Sequence, residues 1–177
     1  DTGNNLAWSC NILSSFKKLF PIFSSWNNTP MGYALPASIG YSKGLNKSPI
    51  CTVIGEGGLS LCLSELAVVK DLNLPIMILI VENGGHNIQK QTIETWLNSK
   101  YAGVDKTSDL CLPEFTNIGL FFGIESVILD SENLVKTLDI IKNWNASKPL
   151  IIRVMIPKNA RSLPIVRYGT KLNLPIK

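Results

Sequence analysis

Short apolar runs alternate with amphipathic stretches along the chain. Four apolar runs, at 50–54, 76–81, 126–129 and 150–155, predict β-strands. The run 76–81 is apolar at every position, which is typical of a parallel strand covered on both faces. The stretches between the runs have helical spacing and predict helices over 4–18, 33–45, 59–72, 88–96, 113–122 and 131–143. The alternation predicts an α/β fold, a three-layer α/β/α arrangement with a mainly parallel sheet.

Proline, serine and glycine mark several ends of these elements. Pro113 suits the first position of a helix, and Gly123 suits the residue that ends it. Ser131 is expected to cap the next helix, because its hydroxyl can accept from free backbone N–H groups there. The segments 22–29 and 98–112 lack a regular period and are expected to be irregular.

The C-terminal end of the chain is basic and shows no clear period. The domain is therefore expected to span 1–156, followed by a tail, 157–177, that is extended or packed on the domain surface. Much of the net charge of +4 lies in this tail, at Lys158, Arg161, Arg167, Lys171 and Lys177. A nucleic-acid surface needs basic residues clustered on one face, preferably with aromatic side chains. Because these residues are spread along the tail, we expect them to be solvated and expect no nucleic-acid partner.

Composition narrows the class of protein further. The 177 residues are 45% hydrophobic, which suits one globular domain with a substantial core. The apolar run 74–81 is too short to span a membrane, and the N-terminal residues lack the pattern of a secretory signal. We therefore expect a cytoplasmic location and no membrane partner. The cysteines are expected to be free, mostly buried thiols: Cys10, Cys51, Cys62 and Cys111. The chain opens directly on a motif, which favours a piece of a longer protein over a naturally separate subunit.

Two glycine turns carry the candidate chemistry. Gly55-Glu56-Gly57-Gly58 closes the first apolar run, and Glu82-Asn83-Gly84-Gly85 closes the second. Glu56 and Asn83 are thus expected at the C-terminal ends of two parallel strands, where open α/β sheets bind their ligands. A carboxylate and an amide oxygen, each beside glycines that expose backbone N–H groups, suit a hard cation carrying a phosphate.

The two turns resemble the diphosphate-binding signature of thiamine diphosphate enzymes, which is Gly-Asp-Gly, a spacer in the high twenties, and Asn-Asn. Asn83 follows Glu56 by 27 positions. Over nearly its whole length the chain resembles the C-terminal cofactor domain of the acetolactate synthase-like group. The further landmarks, in order, are Asp1–Asn5 with Trp8, the segment 29–40, the segment 64–67, the segment 101–105 and the segment 113–115.

This resemblance implies a binding site for thiamine diphosphate and Mg²⁺. The implied metal ligands are the Glu56 carboxylate, the Asn83 amide oxygen and the backbone carbonyl of Gly85. In relatives an apolar side chain at the position of Met31 bends the cofactor, and the carbonyl at Thr29 binds its 4′-amino group. The implied cofactor-binding residues are Asn4, Asn5, Thr29, Met31, Gly55, Gly57, Gly58, Asn83, Gly85, His86 and Ile88.

Several positions depart from the family pattern. Glu56 replaces the usual aspartate and is one methylene longer, which matters because Mg²⁺ needs near-ideal geometry. Glu82 replaces the first asparagine of the pair. The segment 90–92 lies where acetolactate synthases have substrate-side residues, but Thr92 stands in place of a tryptophan. This argues against acetolactate synthesis itself. The Gly-Gly-His sequence at 84–86 and the segment 101–105 look more like those of synthase-like enzymes in surface-polysaccharide sugar pathways. His86 is interpreted as a loop side chain near the diphosphate or a neighbouring domain, rather than as a proton shuttle.

The resemblance also implies what this chain lacks. In the family, a glutamate that activates the cofactor lies on a separate pyrimidine-binding domain, of the same or another chain. We therefore expect no catalytic residue here, a half-site inactive on its own, and a homo-oligomeric assembly acting on a small carbonyl substrate such as a 2-keto acid. Two alternatives are a subunit of a split 2-keto acid decarboxylase and a degenerate, non-catalytic partner with the cofactor fold. A nicotinamide-binding domain is disfavoured, because the first turn lacks the final spaced glycine.

Overall fold

The computed structural model describes residues 1–16, 21–166 and 175–176. Its main sheet has four strands in the order β1-β2-β4-β3, and every neighbouring pair is parallel. The strands are β1 Ile50–Gly55, β2 Ile76–Glu82, β3 Glu125–Leu129 and β4 Leu150–Met155. A short antiparallel pair is formed by β5 Ile165–Val166 and β6 Pro175–Ile176. The α/β class and the parallel sheet predicted from the sequence are confirmed.

Seven α-helices lie before and between the strands in the described part of the chain. They are α1 Asn4–Ser14, α2 Ala34–Gly44, α3 Glu56–Leu61, α4 Glu65–Asp71, α5 Asn87–Thr92, α6 Ile118–Phe122 and α7 Leu134–Lys142. A π-helical turn, Ile93–Leu97, extends α5, and a 3-10 turn, Lys106–Ser108, lies in the following loop. The predicted helix 4–18 ends at Ser14, and its last two residues lie outside the described ranges.

The strand register produces three layers. Side chains alternate along β2, so its isoleucines face one side of the sheet and Met77 faces the other. The first side carries the larger core cluster, which includes residues of α2, α4 and α6. The second side carries a smaller cluster, in which Leu150 and Ile152 of β4 pack with Ile140 and Ile141 of α7. Helices therefore cover both faces of the sheet, as the apolar run 76–81 predicted.

Three helix boundaries differ from the sequence prediction. The predicted helix 59–72 is divided into α3 and α4, because the turn at Cys62–Ser64 uses hydrogen bonds between residues three apart. The predicted helix 113–122 is helical only in α6, since the segment before it buries Phe115 in the core; Gly123 ends α6 as predicted, with φ +63°.

Asp130, and not Ser131, supplies the acceptor before α7. Its carboxylate accepts from the N–H groups of Glu132 and Asn133 at 3.0 and 2.8 Å.

The cysteines are less buried than the sequence indicated. All four are free, but only Cys62 is buried, while Cys51 and Cys111 are exposed. Cys51 is exposed because β1 is an edge strand and its side chain faces the side of the sheet with the smaller core cluster.

No described helix is long and apolar enough to cross a membrane.

The described part of the predicted tail runs back along the domain. Trp8 Nε1 and Asn11 Nδ2 of α1 donate to the carbonyls of Arg161 and Leu163. Arg161 also pairs with Glu94 at 2.7 Å, and Lys158 is exposed. The other tail cations named from the sequence lie outside the described residues: Arg167, Lys171 and Lys177.

Candidate functional site

A cleft of about 500 Å³ lies at the C-terminal ends of β1 and β2. All the residues that the sequence named as metal or cofactor candidates line it. They are Asn4, Asn5, Thr29, Met31, Gly55, Glu56, Gly57, Gly58, Asn83, Gly85, His86 and Ile88. The remaining lining residues are Thr2, Gly3, Val81, Asn87, Gln89 and Thr92. The adjacent parallel strands bring together segments that are far apart in the sequence.

Glu56 joins the two glycine turns. It is the first residue of α3 and is only 7% exposed. Its carboxylate accepts from the backbone N–H groups of Asn83 at 3.2 Å and Gly85 at 2.5 Å. Burial raises the pKa of Glu56 above its ordinary value, the bonds from the turn amides act to lower it, and the nearby Glu82 acts to raise it. A longer side chain than aspartate thus reaches across the cleft floor to the second turn.

Glu82 forms a buried ion pair that the sequence did not reveal. Arg153 Nε and Nη2 donate to Glu82 Oε1 and Oε2 at 2.6 and 2.9 Å. The two residues are 9% and 7% exposed. The available signal was Arg153 itself, a charged residue inside the apolar run 150–155. Glu82, which departs from the family pattern, therefore has a dedicated cationic partner on the neighbouring strand.

The glycines allow close approach of the chain around the cleft floor. A Cβ atom on Gly57 would lie 2.5 Å from His86 Cε1 and 3.0 Å from Met31 Cε. A Cβ atom on Gly85 would lie 2.2 Å from the backbone oxygen of Val104, and Gly85 has φ +153°, a conformation that side chains rarely adopt. A larger residue at Gly85 is therefore excluded by geometry, whereas one at Gly57 would require the His86 and Met31 side chains to move.

Asp1 fixes the turn that carries Met31. Its carboxylate oxygens accept from the N–H groups of Gly32 at 2.9 Å and Tyr33 at 3.2 Å. Asn5 Nδ2 donates to the Asp1 carbonyl at 3.0 Å and, more weakly, to Val53 O at 3.4 Å. The sequence named Asp1 only as the start of the opening motif. Asn5, predicted to contact a diphosphate, uses its amide N–H groups to hold the N-terminal segment on β1.

Three asparagines hold buried polar atoms that have no partner among the described residues. Both side-chain polar atoms of Asn4, and the Oδ1 atoms of Asn83 and Asn87, are unpaired. Buried polar groups in proteins normally have a partner, so these atoms indicate a polar ligand or ion. The amide oxygen of Asn83 and the Glu56 carboxylate, which line the same cleft, suit a hard cation, and the Asn4 amide suits phosphate oxygens. The residues present therefore fit a metal-bound diphosphate.

The ligand atoms that the cleft offers also limit which metal would suit this site. No group of three or more His, Cys, Asp or Glu side chains that could hold a metal exists within residues 1–16 and 21–166. A cation here would need amide, backbone and ligand oxygens besides the single carboxylate of Glu56. Such oxygen-rich, incomplete sites are typical of Mg²⁺ bound together with a phosphate.

Helix α5 forms the other side of the cleft, and two of its residues point away from it. Lys90 is 5% exposed, and its Nζ lies 2.7 Å from Asp105 Oδ2. Gln91 exchanges hydrogen bonds with the backbone of Ser162, at 2.8 and 2.9 Å. The resemblance places both where acetolactate synthases have substrate-side residues, and in this chain their side chains contact distant segments. Of the segment 90–92, only Thr92 lines the cleft.

His86 lies at the junction of the two sides. Its backbone N–H donates to Val104 O at 2.8 Å, and its ring lies against Gly57. The ring makes no side-chain hydrogen bond within the described part of the chain. Burial lowers the pKa of His86 below its ordinary value, which favours the neutral imidazole.

Comparison with known protein families places this cleft in context. Residues 1–154 match the family described as thiamine pyrophosphate enzyme, C-terminal TPP binding domain. The chain belongs to this family. Thiamine pyrophosphate is another name for thiamine diphosphate, and the matched range includes every residue of the cleft. The resemblance identified from the two glycine turns is therefore confirmed.

Individual relatives of this TPP-binding domain are acetolactate synthases. The chain is 26% identical to the acetolactate synthase large subunit of Lactococcus lactis subsp. lactis (strain IL1403), over 96% of the chain and 28% of the relative. It is 24% identical to the acetolactate synthase isozyme 2 large subunit of Escherichia coli (strain K12), over 96% of the chain and 30% of that relative. The chain thus spans less than a third of the length of these curated relatives.

Proposed function

We propose that this chain is the thiamine diphosphate- and Mg²⁺-binding half-site of an acetolactate synthase-like enzyme that makes or breaks carbon–carbon bonds of 2-keto acid-type substrates. The observation that carries the proposal is the unpaired, buried Oδ1 of Asn83, a residue whose backbone N–H donates to the Glu56 carboxylate at 3.2 Å in the same cleft. Membership of the TPP-binding family and the names of the relatives support the same assignment.

Three groups of the turns would hold the cation. Asn83 would supply its free amide oxygen, Gly85 its backbone carbonyl and Glu56 its carboxylate. The turn N–H groups use one lone pair on each Glu56 oxygen, and each oxygen keeps another for a metal. Because burial raises the pKa of Glu56, we expect cation affinity to rise with pH as the carboxylate loses its proton. Phosphate oxygens would complete the coordination.

The remaining residues of the cleft would bind and orient the cofactor. Asn4 would donate to the diphosphate, together with N–H groups at Gly57 and Gly58, which have no intrahelical partner in the first turn of α3. Met31 would support the rings, since its Cε lies close to Gly57 at the cleft floor. When bound, thiamine diphosphate supplies a nucleophilic carbon and an electron sink for carbon–carbon bond cleavage.

The proposed assembly needs groups from elsewhere. The activating glutamate would come from a pyrimidine-binding domain of the same or another chain, in a homo-oligomer, and this chain alone would not turn over substrate. Thr92 stands in place of a tryptophan of acetolactate synthases, which favours a different substrate. Such a substrate would belong to a surface-polysaccharide sugar pathway.

One observation favours a second candidate function. The Glu56 carboxylate is already satisfied by two backbone N–H groups, so the glutamate can close the cleft floor without a metal. A degenerate, non-catalytic partner that keeps the cofactor fold is therefore the competing proposal.

Calorimetric titration of thiamine diphosphate separates the two candidates. With Mg²⁺ we expect binding that a chelator abolishes, and we expect Asn83→Ala and Glu56→Ala to weaken affinity by about tenfold or more. Glu114→Gln is the matched control, because Glu114 is exposed and remote from the cleft. Absence of metal-dependent binding in the intact assembly with the pyrimidine-binding domain would contradict the half-site and favour the degenerate partner.

A further inference from the structure

The Glu82–Arg153 pair lies directly beside the proposed metal turn. Glu82 is the last residue of β2, and Asn83 follows it as the first residue of the turn. In the parallel register Arg153 of β4 is opposite Ile80, two residues before Glu82, so the two charged side chains lie on the same face of the sheet. The bidentate contact therefore ties the end of one central strand to its neighbour.

The end of β2 is anchored twice. The Ile156 N–H donates to the Glu82 carbonyl at 3.0 Å, and Arg153 binds the Glu82 carboxylate through two nitrogens at 2.6 and 2.9 Å. Beyond Glu82, Asn83 and Gly85 are held through their N–H groups by Glu56. The turn is thus fixed at its start by Arg153 and along its length by Glu56.

A buried ion pair of this kind is weak evidence for stability, because desolvation of both charges offsets most of their attraction. Its geometric effect is more specific, since a planar guanidinium fixes both oxygens of a carboxylate. Without Arg153 the Glu82 carboxylate would be a second free acid next to Glu56 and Asn83.

We propose that Arg153 is a positioning residue of the metal turn. By binding Glu82 through both nitrogens, it fixes the start of the Asn83–Gly85 turn and keeps the Glu82 carboxylate away from the position where Asn83 meets a cation. This inference rests on the proposed function for its ligand, but the geometry of the turn is testable without any ligand.

Amide hydrogen exchange on the ligand-free protein tests the turn directly. In Arg153→Met we expect the Asn83 and Gly85 amides to exchange about tenfold faster than in the wild type. In Arg153→Lys we expect an intermediate rate, because lysine keeps the charge but not the two-point contact. Arg161→Met is the matched control, since it removes the other bidentate Arg–Glu pair, with Glu94, away from this turn.

Titration of thiamine diphosphate with Mg²⁺ then tests the consequence for binding. We expect Arg153→Met to weaken affinity by about tenfold or more. The double variant Glu82→Leu/Arg153→Met keeps the test valid if the single variant fails to fold, because an apolar pair of similar volume is tolerated well in place of a buried ion pair. We expect it to recover the wild-type melting temperature but neither the slow exchange of the turn amides nor the affinity.

The outcomes are distinguishable. If the apolar double variant shows wild-type amide exchange, Arg153 has only a structural role and the inference is overturned, whatever binds in the cleft. The same holds if Arg153→Met leaves the turn amides unchanged. If the wild type binds no cofactor while the exchange pattern follows the expectation, the proposed function fails and the positioning role stands.

Discussion

The two sides of the cleft are built by different means. The turn side, made of residues 55–58 and 83–85, is held by backbone N–H groups and by glycines that bring chain segments into close contact. The helix side, made of residues 86–92, is held by side chains that reach distant segments, with Lys90 bound to Asp105 and Gln91 bound to Ser162. The turn side therefore depends on backbone geometry at the strand ends, whereas the helix side depends on particular side-chain partners in distant segments.

The largest expected effect comes from breaking the turn side. Gly85→Ala would press a Cβ atom against Val104 O and force alanine into a conformation that it rarely adopts, so we expect a loss of about 3 kcal/mol in the free energy of unfolding. Gly40→Ala is the control, because this helical position has no atom within 4 Å and we expect a gain of about 0.5 kcal/mol. Urea unfolding followed by circular dichroism measures both. Equal stability of the Gly85 variant and the wild type would contradict the close approach at Gly85.

A smaller effect is expected from weakening the helix side at Asp105. The Lys90 ammonium, with the Thr107 and Ser108 hydrogen bonds, holds the pKa of Asp105 well below its ordinary value of 3.8. The folded state therefore favours the charged carboxylate. Its contribution is fully present above about pH 4 and is lost as the pH falls toward the lowered pKa.

We therefore expect Asp105→Asn to lower the free energy of unfolding by about 2 kcal/mol at pH 7, because it removes the carboxylate that pairs directly with the buried Lys90 ammonium. The difference from the wild type should shrink as the pH falls below about 4. Unfolding curves from pH 7 to pH 3 measure it, with Asp139→Asn as an exposed control. A difference that stays constant to pH 3 would refute the assigned pairing.

The smallest effect is expected where the helix side of the cleft contacts the tail, at Gln91 and Ser162. Gln91→Ala would remove both hydrogen bonds to Ser162, and we expect a loss of about 1 kcal/mol in the local free energy of opening. Trypsin should then cleave after Lys158 and Arg161 about fivefold faster. Gln89→Ala is the neighbouring control, since the Gln89 side chain is exposed and makes no hydrogen bond to the described part of the tail. Equal cleavage rates in both variants would show that Gln91 does not hold this segment.

The sequence was most informative where one strong pattern decided the structure. The strand 76–81 is apolar and rich in isoleucine, so its parallel pairing on both edges was predictable. The short helix α6 was not, because burial of Phe115 overrides the helical pattern before Ile118. Ser131 had the right chemistry for a cap, but Asp130 lies one residue closer to the strand and offers the stronger acceptor.

In the candidate site, too, some residues were predictable from the sequence and others were not. Glu56 and Asn83 were found because each follows a strand directly, and neighbouring parallel strands bring their ends together. Asp1 and Arg153 were missed as site residues, because their partners lie 31 and 71 positions away and no local pattern connects them. The contacts of Lys90 and Gln91 were not predictable, since the family resemblance fixes a position on the helix but not the partners of a side chain.

The bonds from Glu56 to Asn83 and Gly85 have a consequence for folding order. They connect positions 27 and 29 residues apart, so they can close only after β1 has paired with β2 in the observed register. A slip of one residue would turn every side chain of β1 to the opposite face of the sheet. The floor of the cleft therefore forms late, after a non-local contact whose loop-closure entropy has already been overcome. Any ligand that needs this floor would act as a probe of correct strand pairing during refolding.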